Sequence, residues 1–144
     1  MTSTKAKTQS EWWRWAFVPF VGVIGGTLGA LAFGLIQWLG LKLQGGFSED
    51  GWYFLYILPT ITSGIFGYVF VTVTHYVAPR GKFISSVVMT TILGLFLALS
   101  VVLAWGLLMQ STGESIKATV GCIASLVASV FTLINIAQTD GTSA

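Results

Sequence analysis

Charged side chains are scarce in this chain of 144 residues, which holds 7 Lys and Arg and 5 Asp and Glu, 8% of the total. A typical soluble domain is about a quarter charged, so these charges are too few to cover a water-exposed surface. Hydrophobic residues make up 54% of the chain and the net charge is only +2, which excludes intrinsic disorder. The length allows a single domain.

Cysteine, histidine and asparagine occur once each, as Cys122, His75 and Asn135. A single cysteine forms no internal disulfide. A structural zinc site needs about four Cys or His ligands, and this chain has only Cys122 and His75. Ile136 and Ala137 follow Asn135, so the chain has no N-glycosylation acceptor. The basic residues are scattered, unlike those of a nucleic-acid interface. We therefore expect no metal, no resident cofactor and no nucleic-acid partner.

Long apolar stretches dominate the sequence instead. Four of them cover about 16–41, 52–78, 83–109 and 116–137, and nearly all charged residues fall between or beyond them. Each stretch reaches the roughly 20 residues with which a helix crosses the ~30 Å hydrocarbon core of a bilayer. Backbone in lipid must satisfy its own hydrogen bonds, and the two-residue alternation of a membrane barrel is absent. The sequence thus predicts an all-α integral membrane bundle of four transmembrane helices with antiparallel neighbours.

The segments outside these stretches at the two ends, 1–15 and 138–144, are polar or aromatic tails. The first stretch also resembles the apolar part of a signal peptide, with Ala30-Leu31-Ala32 as a cleavage site. Its apolar run continues to Leu41, and glycines interrupt it, so an uncleaved span is the better interpretation.

The basic residues predict the orientation of the four spans. Five of them lie before the first span or between the second and the third, namely Lys5, Lys7, Arg14, Arg80 and Lys82. Lys42 lies in the first connection, and Lys117 lies at the start of the fourth span, next to the third connection. Because cytoplasmic loops are enriched in Lys and Arg, both termini are predicted to be cytoplasmic. Tryptophans and tyrosines near the span ends support these boundaries, and a bacterial plasma membrane is the expected location.

The first span carries small residues four positions apart, namely Gly22, Gly26, Ala30 and Gly34. Gly25 and Gly29 add a second pair with the same spacing. Helices in lipid associate by close backbone approach rather than by burial from water, so this row predicts a packing face. The spacing leaves open whether the partner is another span, a second copy or a different protein, with packing inside the chain slightly favoured.

Small and polar residues also share one face on each of the other spans. They are Gly64, Gly67 and His75 on the second, Thr90 and Gly94 on the third, and Gly121, Ser125, Ser129 and Asn135 on the fourth. We expect these faces to meet in a four-helix core, with Leu, Ile, Val and Phe turned towards lipid. Pro59 should bend the second span, because it leaves the carbonyl of Leu55 without its helical donor.

Reactive side chains inside the spans are limited to His75 and Cys122. Their positions place them in opposite leaflets, so we expect no nucleophile–base pair within one chain. Glu49, Asp50 and Glu114 lie just before predicted helix starts, where the helix dipole favours carboxylates. Proton-driven pumps and voltage sensors need charged groups within the bilayer, and the four spans contain no carboxylate.

Elimination favours a non-enzymatic function for this sequence. We expect a subunit or assembly partner of a membrane protein complex, or a homo-oligomer, held by glycine-rich helix packing. The alternative is an oligomeric transporter or channel for a neutral or weakly polar solute, lined by hydroxyls of the second, third and fourth spans. A third hypothesis is an intramembrane enzyme or cofactor carrier, which requires ligands from another subunit.

Overall fold

A computed structural model describes residues 12–45, 51–78, 82–106 and 112–141, which are helical almost throughout. We number the helices α1 (Trp12–Leu43), α2 (Leu58–Val77), α3 (Lys82–Gly106) and α4 (Thr112–Gly141). A π-helical turn, Tyr53–Ile57, leads into α2. The predictions for the outermost chain ends and for residues 46–50, 79–81 and 107–111 lie outside the described residues.

The described residues include four helical segments that are long and apolar enough to cross a membrane: Ala16–Leu43, Tyr53–Val77, Lys82–Gly106 and Thr112–Thr139. The predicted all-α class with four such helices is confirmed. α4 begins before the predicted fourth span and continues beyond it to Gly141. The apolar pattern marks only the part of a helix that suits hydrocarbon, and a helix extends past it where no proline stops the hydrogen-bond ladder.

The start of α2 is shaped by Pro59, which has no N–H to donate to the carbonyl of Leu55. The π-helical turn lies just ahead of it, and Pro59 stands in the first turn of α2. The hydroxyl of Thr60 donates to the carbonyl of Tyr56 at 2.8 Å. The structure thus shows a change in helix type just ahead of the proline, where the hydrogen-bonded ring is one residue longer, while the predicted bend stays a prediction.

α2 lies at the centre of the packing. Its most extensive contacts are with α1 and with α4, and α3 packs against both α4 and α2. Along the contact with α1, Gly22 lies opposite Phe70 and Gly26 lies opposite Phe66. Residue numbers increase along α1 where they decrease along the facing part of α2, so the two helices are antiparallel.

α2 and α4, in contrast, run in the same direction. Gly64 faces Ala124, and one turn later Gly67 faces Ser125. Helices joined by short connections alternate in direction, so this contact joins two helices that are not consecutive in the chain. We call the line along which α2 and α4 touch the α2–α4 seam.

The apolar core lies among α2, α3 and α4 rather than at the centre of all four helices. Its buried residues are Phe70, Val71 and Leu93, and the side chains packed against them are Phe66, Met89, Leu97, Leu133 and Ile136. Among the described residues, α1 contributes nothing to this cluster, because its only extensive contact is with α2. The expected four-helix core is found in part: Val18 of α1 is buried, but it lies outside this cluster. Small-residue spacing specifies close approach but not which helices approach.

Large apolar side chains point outwards on the described helices. Examples that are more than half exposed are Ile36 on α1, Tyr68 on α2, Ile84 on α3 and Phe131 on α4. The buried polar side chains are serines and threonines, among them Thr74, Ser86 and Ser129. A protein in water shows the opposite distribution, so this one supports a bilayer environment.

Candidate functional site

The first part of the α1 glycine row is filled by side chains of α2. Four glycines take part, namely Gly22, Gly25, Gly26 and Gly29. A Cβ at Gly26 would lie 2.9 Å from the ring of Phe66 and 3.2 Å from its carbonyl oxygen, and a Cβ at Gly22 would lie 2.9 Å from Oγ1 of Thr74. At the other two glycines, valines of α2 come within 3.1 and 3.0 Å. These helices approach as closely as they do only because α1 has no side chain at these positions.

The last part of the row is open. In the part of the chain that the structure describes, no atom lies within 4 Å of a Cβ placed at Gly34. Ala30 and Gly34 line a groove of about 380 Å³ between α1 and α2, together with Thr27, Leu31, Leu35, Thr62 and Phe66. α1 and α2 therefore diverge along the second half of the row, and we call this opening the Gly34 groove.

Glycine also sets the distance between α2 and α4. A Cβ at Gly67 would collide with the carbonyl oxygen of Ser125 and would lie 2.7 Å from Oγ of Ser129. Gly64 has more room, since the nearest atom to its Cβ position is the carbonyl oxygen of Ala124 at 3.8 Å. The α2–α4 seam is thus tightest at Gly67.

The remaining predicted glycines, Gly121 and Gly94, also lie at helix contacts. A Cβ at Gly121 would lie 3.0 Å from Oγ of Ser63, and a Cβ at Gly94 would lie 3.4 Å from the side chain of Leu126. Gly121 therefore belongs to the α2–α4 seam, whereas Gly94 belongs to the contact between α3 and α4.

α3 and α4 are further joined where the end of one meets the start of the other. The indole Nε1 of Trp105 donates to Oγ1 of Thr119 at 3.0 Å. The hydroxyl of Ser115 donates to the carbonyl oxygen of Ala104 at 3.3 Å. These bonds tie the two helices together without glycine.

The predicted hydroxyl-bearing residues Thr90, Ser125 and Ser129 are closed off by packing. Ser129 is fully buried, while Ser125 and Thr90 are only 2% and 7% exposed. The hydroxyl of Ser129 donates to the carbonyl oxygen of Ser125 at 2.8 Å. The hydroxyls of Thr74, Thr90 and Ser125 have no hydrogen-bond partner among the described residues. Hydroxyls enclosed in this way hold helices together at close distance and do not line a water-filled path.

His75 and Asn135 lie together in a groove between the C-terminal parts of α2 and α4. The groove has a volume of about 260 Å³, and its other lining residues are Tyr68, Thr72, Tyr76, Thr132, Ile136 and Thr139. Nδ1 of His75 is buried without a partner among the described residues, and the imidazole meets the Tyr76 ring edge-on at 6.1 Å between centroids. An imidazole beside an amide can exchange hydrogen bonds with one small polar group.

Cys122 lies in a different cavity, nearer the start of α4. This cleft has a volume of about 440 Å³ and also receives Ser63 and Gly121. Asn135 follows Cys122 by 13 residues, which is about 20 Å along a helix at 1.5 Å per residue. The structure therefore does not bring Cys122 and His75 together.

Lys117 has a contact that its place in the sequence does not reveal. Its Nζ lies 4.8 Å from the centroid of the Tyr56 ring, on another helix. Lys42 makes a similar contact with Trp38 at 4.5 Å, but there the four-residue spacing on one helix is a visible signal. For Lys117, the sequence shows only that a lysine lies inside an otherwise apolar span. This position singles out the residue but does not predict its contact with Tyr56.

No protein-family model, curated protein or solved structure matches this chain. What the protein does is therefore inferred from its own residues. Among the described residues, no cluster of three His, Cys, Asp or Glu side chains is placed to hold a metal ion. Among the described residues, the arrangement consists of two glycine-dependent helix contacts, a core with buried hydroxyls and a small-residue groove at Gly34.

Proposed function

We propose that this protein is a small multi-pass integral membrane protein that acts as a non-enzymatic subunit or assembly partner of a membrane protein complex. Its four apolar helices support the membrane environment. The basic residues around the start of α1 and between the predicted second and third spans support placing both termini in the cytoplasm, and we place the protein in a bacterial plasma membrane. The separation of His75 from Cys122 gives little basis for catalysis by this chain alone.

The Gly34 groove carries this proposal. α1 has extensive contact with α2 alone, and no described atom lies within 4 Å of a Cβ at Gly34. Leu31 and Leu35, on the rim of the groove, are 59% and 65% exposed. A small-residue surface gains van der Waals contacts when another transmembrane helix approaches it closely. The groove is therefore the surface at which we expect a partner helix to bind.

The alternative function, an oligomeric transporter or channel for a neutral or weakly polar solute, has less support. Its path would need the hydroxyl-bearing faces of α2, α3 and α4, but the hydroxyl-bearing residues Thr90, Ser125 and Ser129 are buried between these helices. Leucine at Thr90 or Ser129 would disturb this packing whether or not a solute passes. Loss of flux in such variants would therefore not distinguish the two functions.

A cysteine at position 129 distinguishes a packed core from a water-filled path. In a chain with Cys122→Ala, we expect Ser129→Cys to resist a charged, water-soluble maleimide in lipid nanodiscs, because Ser129 is fully buried. Thr139→Cys is the positive control, since Thr139 is exposed near the end of α4. Rapid labelling at position 129, at a rate similar to that at 139, would favour the transport function.

Leucine at Gly34 tests the assembly function. We expect Gly34→Leu not to destabilise the isolated chain, because a Cβ at this position would meet no described atom within 4 Å and leucine favours a helix over glycine by up to about 1 kcal/mol. The same change should release the partner, as measured by mass analysis of the complex extracted from its native membrane in mild detergent.

The matched control for this experiment is Gly40→Leu. Gly40 lies on the same helix, its Cβ position is equally free of described atoms within 4 Å, and it is not one of the residues that line the Gly34 groove. The control variant should keep the partner. A wild-type chain that is strictly monomeric, with no partner retained, would contradict the proposal.

A further inference from the structure

Lys117 lies at the depth of a membrane interface. The α4 segment that suits a membrane, Thr112–Thr139, has 28 residues, or about 42 Å of helix, against a hydrocarbon core of ~30 Å. With the segment centred on the hydrocarbon core and perpendicular to the bilayer, each end extends about 6 Å beyond the hydrocarbon, and Lys117, about 7.5 Å from the start of the segment, lies near the boundary. Its contact with Tyr56 places the ammonium group beside an aromatic ring that is typical of this depth.

Two apolar clefts meet at Lys117, which lines both. The first, of about 440 Å³, receives residues from all four helices, including Ala30, Phe66, Leu97 and Cys122. The second, of about 420 Å³, lies between α4 and the start of α2 with its π-helical turn, and its other residues are Trp52, Tyr56, Ile57, Thr60, Ile61, Ile116 and Val120.

The clefts lie on opposite sides of the α2–α4 seam. On α4, Ala118 and Cys122 line the first cleft, whereas Ile116 and Val120 line the second. Residues two apart on a helix point about 200° from each other, so these pairs occupy opposite faces. Lys117 stands between the two faces at one end of the seam.

The hydroxyls that α2 contributes to the walls of the clefts are already satisfied, whereas that of Ser125 on α4, in the first cleft, is buried without a partner among the described residues. Those of Thr60, Thr62 and Ser63 each donate at 2.8 Å to the carbonyl four residues earlier. Backbone bonding of this kind leaves mainly carbon atoms facing the cleft. The clefts therefore suit hydrocarbon chains, while the lysine at their common end suits an anion.

We propose that Lys117 and the two clefts form a binding site for one anionic phospholipid with two acyl chains. The phosphate lies at the ammonium group of Lys117, and one chain runs on each side of the α2–α4 seam. Glu114, one turn earlier on α4 and exposed, opposes the negative headgroup. The first cleft borders the Gly34 groove and shares Ala30, Thr62 and Phe66 with it, whereas Lys117 and the second cleft lie outside that groove. Binding of the lipid does not require a partner helix, so this proposal does not depend on the assembly function.

The charge requirement is tested with the full chain in nanodiscs made from phosphatidylcholine and phosphatidylglycerol. The lipids that stay bound after transfer to detergent are counted by native mass spectrometry. We expect the wild type to retain phosphatidylglycerol preferentially and Lys117→Gln to retain about fivefold less of it. Lys117→Arg should keep the retention, and Glu114→Gln should raise it.

Lys42→Gln is the matched control for lost charge. Lys42 has a similar ring contact, with Trp38, but lies on α1 and outside both clefts. This variant should retain phosphatidylglycerol as the wild type does. Equal retention by wild type and Lys117→Gln would overturn the proposal, and so would an equal loss in Lys42→Gln.

The two-chain requirement needs its own variant. Ala118→Leu narrows only the first cleft, so it should weaken retention of two-chain phosphatidylglycerol but not of its single-chain form. Soluble glycerol phosphate should displace neither lipid, because it lacks the chains that fill the clefts. Displacement by glycerol phosphate would reassign the site to a free phosphate and would overturn the lipid proposal.

Discussion

Alanine in place of Gly67 is expected to lower the free energy of unfolding by about 2–3 kcal/mol. The added Cβ would meet the carbonyl oxygen of Ser125, with Oγ of Ser129 at 2.7 Å and Oγ of Ser125 at 2.9 Å. A backbone oxygen cannot rotate away as a side chain does, so α2 and α4 must separate. The separation loosens the core around Phe70 and Val71 as well. Thermal unfolding in mild detergent measures the loss.

Gly64→Ala is the matched control, one turn earlier on the same helix. Its Cβ would lie 3.8 Å from the carbonyl oxygen of Ala124 and 4.0 Å from Cβ of Ala128, which is ordinary contact. Alanine also favours a helix over glycine by about 1 kcal/mol, so this variant should be neutral or slightly stabilised. A similar loss of stability in both variants would contradict the close contact of α2 and α4 at Gly67.

Leucine in place of Gly26 is expected to detach α1 from α2 and to lower the free energy of unfolding by about 3 kcal/mol. The new side chain would start 2.9 Å from the Phe66 ring and 3.2 Å from its carbonyl oxygen. The ring can turn, but the carbonyl belongs to the backbone of α2. The two helices must therefore move apart along the contact that Gly22 and Gly29 also share.

A disulfide reports this separation directly. In a chain with Cys122→Ala, Gly25→Cys and Val73→Cys would place two Cβ atoms about 3.5 Å apart. This distance lies within the range of about 3.5–4.5 Å found in disulfides. We expect the cross-link to form under mild oxidation and to be lost when Gly26→Leu is added.

Leu31→Ala is the control variant for Gly26→Leu, because Leu31 lies on the same helix. Leu31 is 59% exposed, so its truncation removes little packing from the isolated chain. We expect the disulfide between positions 25 and 73 to form normally in this variant, with a stability change of no more than about 0.5 kcal/mol. Loss of the cross-link with Leu31→Ala, or its persistence with Gly26→Leu, would show that α1 and α2 do not meet through the glycines.

The four helices and their small-residue faces could be predicted from the sequence because both are local properties. A run of apolar residues such as Phe83 to Gly106 is long enough to cross hydrocarbon, and backbone in hydrocarbon must be helical. Glycines four residues apart lie on one face of a helix wherever that helix packs. Pro59 likewise marks its own local disturbance, since the missing N–H does not depend on neighbours.

The partners of these faces could not be predicted in the same way, because pairing joins residues far apart in the chain. Gly22 and Gly34 belong to one row with one spacing, yet Gly22 meets Phe70 while Gly34 faces an open groove. The way in which the helices pair also gives the predicted polar residues different surroundings. Ser129 and Thr90 are buried between helices, whereas His75 and Asn135 line a groove.

Composition and residue spacing were thus sufficient to predict a membrane environment, the four helices and the helix faces capable of close packing. Each of these properties depends on residues within a few turns of one helix. The folded arrangement was needed to show that α2 is central, that α1 contributes no residue to the apolar cluster around Phe70 and Val71, and that Lys117 lies between two clefts. The physical reason is that van der Waals contact between helices depends on the shapes of both surfaces, and a single helix contains only one of them.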